Sequence, residues 1–184
     1  MKKFKAAALS AFTLAIAGIG SAGPAHAETK ALAVGKYAPS AAFPCAPQRK
    51  KQLVAKTEMG DIFLTSLTCS QGDNAYLLGV TEYPAQIMSM LSVEEMLDST
   101  LDDARSKKFM KVKSSKRTTL QNLPAIRNHL LDSREPATES TSTAVLADAN
   151  LIVVQVTGPQ NSAQSKAATD FLNSLQVAAA KNKK

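Results

Sequence analysis

At Ser92 the spacing of apolar side chains changes from two residues to between three and four. That one change of period restricts the chain to a sheet with helices set between groups of strands. Ser92-Val93-Glu94-Glu95 reads as a capping box, in which the serine oxygen takes the N–H three residues on and Glu95 reaches back. Val93, Met96, Leu97, Leu101 and Ala104 then follow at helical spacing. Acidic residues fill the first turns and Lys107 and Lys108 the last, as the helix dipole favours. The pattern predicts a helix over 92–108 whose outer face carries Glu94, Glu95, Asp98, Asp102 and Asp103.

On either side of this helix the period is two. Residues 52–57 and 62–69 are rich in β-formers around the turn Glu58-Met59-Gly60-Asp61, which predicts a hairpin with Thr57 opposite Ile62. Residues 75–82 make a third strand ended by Tyr83-Pro84. Beyond the helix, 109–118 reads as an exposed strand, 125–133 as another, and 141–148 with 151–157 as a second hairpin around Ala149-Asn150. The run Leu151-Ile152-Val153-Val154-Gln155-Val156 is apolar enough to be central in the sheet. Gly158-Pro159 stops it, and a closing helix over 161–174 carries Ala167, Ala168, Phe171, Leu172 and Leu175 on one side. Grouped strands without βαβ alternation predict an α+β fold, an antiparallel sheet of about six to seven strands with two main helices packed on it.

The N-terminus has a different logic. MKKFK is followed by an apolar run over residues 6–20 and by Ala25-His26-Ala27, the basic, apolar, A-x-A order of a cleavable secretory signal. The run of 15 residues is shorter than the roughly 20 that span a bilayer. Residues 1–27 are therefore expected to be removed, leaving no membrane span, and the protein is expected to be periplasmic or secreted. Cleavage leaves 19 basic against 15 acidic side chains, a net charge of +4 in place of +7. So small an excess in an exported protein does not indicate nucleic-acid binding. Residues 28–42, small and polar, read as a flexible leader, 43–177 as one domain, and 178–184 as a basic tail.

Export also decides how the two cysteines read. In an oxidising compartment Cys45 and Cys69 are expected to form a disulfide, worth on the order of 3 kcal/mol for the loop it closes. Two thiols with a redox role are the alternative, but the spacing is not C-x-x-C.

Three features together resemble the PsbP-like fold: the Phe43-Pro44-x-x-Pro47 lead-in, the acidic-capped helix after the third strand, and the close Ala168-x-x-Phe171-Leu172-Asn173-Ser174-Leu175. The resemblance covers residues 43–177 and departs at Cys45, where the family usually has glycine. It implies a binding or accessory domain and transfers no catalytic residue.

Candidate chemistry is sparse. His129, Asp132 and Ser133 have the composition of a hydrolytic triad, but on a strand His129 and Ser133 share a face and Asp132 points away. His129 is expected to be an ordinary strand histidine. With one histidine left after cleavage and the cysteines bridged, no metal site of nitrogen and sulfur ligands is expected. Glu94, Glu95, Asp98 and Asp102 form an acidic face, either solvated or facing a cation. Lys111, Lys113 and Arg117 are expected on one face of a basic strand, as contacts for an anionic partner or as edge protection. No phosphate loop, nucleophile elbow or zinc-helix signature occurs. The expected function is that of an exported, non-enzymatic binding or accessory protein of the cell envelope with no cofactor. Its expected partner is an envelope protein or an anionic envelope polymer. The alternatives are a small-ligand or cation carrier, or a hydrolase with a carboxylate or serine site.

Overall fold

The structure, a computed structural model, describes residues 28–179, the side chain of Asp103 excepted. The expected signal segment, residues 1–27, and the last five residues of the expected tail lie outside the described residues.

Two sheets make the fold. The larger is antiparallel and has seven strands: β3 (Gln48–Thr57), β4 (Gly60–Gln71), β5 (Asn74–Glu82), β6 (Met110–Leu120), β7 (Leu123–Asp132), β8 (Thr138–Ala147) and β9 (Asn150–Pro159). Their spatial order is β3-β4-β5-β9-β8-β7-β6, which puts the apolar β9 in the middle and the two lysine-rich strands β3 and β6 at the edges. The smaller sheet has β2 (Tyr37–Phe43) between β1 (Glu28–Ala31) and β10 (Gln176–Ala179). Helices α1 (Ala85–Met90), α2 (Val93–Asp98), α3 (Asp102–Ser106) and α4 (Lys166–Asn173) complete the α+β architecture.

The large sheet buries both faces, so its central strands lack a clean polar alternation. Tyr76, Leu78, Val80, Val145, Ile152, Val154 and Val156 face the small sheet and α4. Leu151, Val153, Ala144 and Ile126 face α2, whose Met96 and Leu97 are buried, together with Leu101. At the centre of the first layer Phe171 meets Phe43 edge-on at 4.9 Å and Tyr76 at 5.2 Å. The Ser174 hydroxyl donates to the Phe171 carbonyl at 2.7 Å and accepts the Ala42 N–H at 2.8 Å. The lead-in and closing segments that carry the PsbP-like resemblance therefore pack on each other.

Several sequence expectations change. Residues 28–42 are not a flexible leader, because Pro39, Ala41, Phe43 and Cys45 are buried at alternate positions and β1 pairs Glu28 with Phe43. Residues 178 and 179 of the expected tail pair with Ala38 and Tyr37. The first hairpin is tighter than expected: Thr57 faces Gly60, whose φ of 125° serves a two-residue turn. A bulge at Val54 then shifts the register again, and Thr68 faces Gln48. The second hairpin turns at Asp148-Ala149, one residue earlier than expected. The segment 92–108 is three short pieces, since Ser99–Leu101 is a 3-10 turn. There the Ser99 and Thr100 hydroxyls donate back to the carbonyls of Met96 and Leu97, competition that weakens a helix interior. The closing helix likewise shrinks to α4, preceded by a 3-10 turn at Ser162–Gln164. Cys45 and Cys69 are bridged, with Cα atoms 6.0 Å apart.

Candidate functional site

The expected triad is not assembled. Asp132 accepts from the Arg134 guanidinium through both oxygens, and that hydrogen bonding holds its carboxyl below the usual carboxylate range. The Ser133 hydroxyl donates to the Phe109 carbonyl at 3.0 Å. His129 instead lies beside Glu139, its Nε2 3.4 Å from the carboxylate but without hydrogen-bond alignment. Glu139 is 3% exposed and accepts the Asn161 N–H at 3.0 Å. This neighbour of His129 was not visible in the sequence, because only the β7–β8 register brings the two together. Tyr83 is a second buried polar group: its hydroxyl has no hydrogen-bond partner among the described residues, and burial raises its pKa, so it stays a neutral phenol.

The acidic face divides among separate tasks. Glu95 closes the capping box, accepting the Ser92 N–H at 2.8 Å, and this lowers its pKa. Asp98 pairs with Arg117 at 2.8 Å, and Arg117 also donates to the Glu94 carbonyl at 3.4 Å. Glu94 and Asp102 point to solvent. Among the described residues no group of three or more His, Cys, Asp and Glu side chains is arranged to hold a metal ion.

The basic strand also differs from expectation. Lys111 pairs with Leu131 and Arg117 with Ile126, and a bulge at Lys113 lies between them. The extra residue reverses the alternation, so Lys111 and Arg117 are on opposite faces of β6. Arg117 lies over α2 with Asp98, whereas Lys111 shares the α4 side with Ser114 and Lys116.

A third surface was not singled out by sequence reasoning. From Tyr83 to Val93 there is no charged residue, and this stretch forms α1 and the start of α2. Ile87, Met88 and Leu91 are half-buried against the second core, while Met90 is 57% exposed and Val93 38%. The signal that points to it is an uncharged, methionine-bearing stretch too short for a core helix.

No family model and no curated protein matches the chain. Among solved structures it is similar to the cyanobacterial PsbP (CyanoP) of Synechocystis, with TM-score 0.53 and 9% identity over 89% of this chain and 99% of that one. It is also similar to LpqN of Mycobacterium tuberculosis, a protein involved in cell envelope biogenesis, with TM-score 0.50 and 9% identity over 83% of this chain and 91% of that one. The fold is PsbP-like. At such identities the likeness establishes architecture alone.

Proposed function

We propose that this chain is an exported, non-enzymatic accessory protein of the cell envelope that binds a protein partner through the corner formed by α1 and the start of α2. The observation that carries the reading is the exposure of Met90 and Val93 within a stretch without charge. Flexible, polarisable methionines suit such contact surfaces. The disulfide and the signal-like N-terminus support export, and the similarity in fold to an envelope-biogenesis protein is in keeping with it. The separate engagements of Asp132, Ser133 and His129 support a contact role over hydrolysis.

The test places a photo-crosslinking residue at position 90 or 93, and at 166 as a control, in cells making the full chain. The expected result is one discrete adduct from 90 and 93, none from 166, and its loss in Met90→Glu with Tm unchanged. Absence of an adduct, or equal labelling from all three positions, overturns the reading. N-terminal sequencing of the same protein is expected to begin at Glu28.

A further inference from the structure

The β6–β7 edge carries a second surface, on the side facing α4. Three successive cross-strand rows lie there: Lys111 with Leu131, Ser114 with His129, and Lys116 with Arg127. Rows two residues apart on a strand are separated by about 7 Å, so the cations extend over about 14 Å in one line. Thr141 and Thr143 of β8 continue the second and third rows.

Lys116 and Arg127 stand directly opposite each other, a placement that is unfavourable unless something neutralises it. Nothing acidic among the described residues does. Arg127 bonds only neutral acceptors, Thr143 Oγ1 and Asn173 Oδ1, each at 3.3 Å. Lys111 and Lys116 are exposed. Of the acidic side chains on this side, Glu139 is 3% exposed and turned toward His129 and the Asn161 N–H, and Asp170 of α4 is paired with Lys166. The other face of the same strand is treated differently, for there Arg117 has Asp98. Protection of a sheet edge asks only for lysines on the edge strand. It does not account for an arginine on the second strand in register with one of them.

We propose that this face binds a linear polyanion, a polymer with a fixed negative charge on each repeat, laid along β6 across Lys111, Lys116 and Arg127. A single small anion would reach one row, whereas an extended chain meets all three. Ser114 and Thr141 supply neutral donors between the cations. The site is separate from the α1–α2 corner and stands or falls independently of it.

Long-chain inorganic polyphosphate is the probe, titrated into the protein purified from cells at several salt concentrations. Binding is expected to fall linearly in log–log form with salt. Lys116→Gln with Arg127→Gln is expected to weaken it about tenfold or more, and to lower the salt slope by about 1.4. Arg49→Gln with Lys50→Gln removes the same charge from the opposite edge, and is expected to change affinity less than about twofold. Lys111→Gln with Lys116→Gln touches only exposed side chains and repeats the test without the Arg127 hydrogen bonds. Met90→Glu is expected to leave binding unchanged. Equal weakening by the two edges, no binding of the polymer, full competition by inorganic phosphate at equal phosphorus, or preferential binding to phosphatidylglycerol vesicles each overturns the proposal.

Discussion

Ser92 and Glu95 show which single-residue features a sequence can disclose. Both partners of the capping box lie within three residues, so local spacing alone determines the geometry. His129 and Glu139 are the opposite case: neither side chain acquires its neighbour until two strands pair, and no residue type announces that register. Asp132 is intermediate, since Arg134 is only two positions away but the bond depends on how β7 ends. Arg134 lowers the folded-state pKa of Asp132, so its stabilising effect is complete above the unfolded value of about 4. The effect is lost as pH falls through the lower folded value. Asp132→Asn is therefore expected to lower Tm at pH 6, with the gap to the parent protein closing as the pH is lowered past the unfolded carboxylate value and through the lower folded one. Thermal melts across that range check this, and a gap that stays constant would contradict it.

Elements were more legible than their registers. The hairpins, the capped segment and the closing helix follow from period and turn residues. Turn length and the bulges at Val54 and Lys113 do not, because an extra strand residue has no compositional mark. The bulge at Lys113 had the larger consequence, for it separated Arg117 from Lys111 and redistributed the basic strand over two faces. The tighter first hairpin affects the disulfide instead. β4 runs past the Gln48–Thr68 pair, bringing Cys69 within bonding reach of Cys45. The folded protein is expected to show no titratable thiol without reductant. Cys45→Ser with Cys69→Ser is expected to cost about 3 kcal/mol in a denaturant series, since the bridge closes a loop of 24 residues. Two reactive thiols, or no change in stability, would contradict the assignment.

For the whole molecule, the α+β architecture was readable but the second sheet was not. Its strands β1 and β10 have only four residues each, without a run of large apolar side chains, and both depend on β2, with β10 arriving from more than a hundred residues away. Ala41 gives little hydrophobic signal although it is fully buried. Phe171 joins this sheet to the large one through its contacts with Phe43 and Tyr76, so it carries more of the molecule than its place on a short helix suggests. Phe171→Ala is expected to destabilise the protein by about 3–5 kcal/mol. Denaturant unfolding checks this, and a loss under about 1 kcal/mol would mean that the two layers are held together elsewhere.

β1 and β10 lie on either side of β2, both antiparallel to it, with Glu28 at its Phe43 end and Ala179 at its Tyr37 end. Tension applied between those two residues would drag the outer strands in opposite directions along β2. The rungs between them run across the line of force and would be loaded together in shear rather than peeled one by one. If the protein is tethered or hauled from its extremities, the small sheet acts as a mechanical clasp, and the seven-stranded sheet with its contact surfaces is shielded until that clasp gives way.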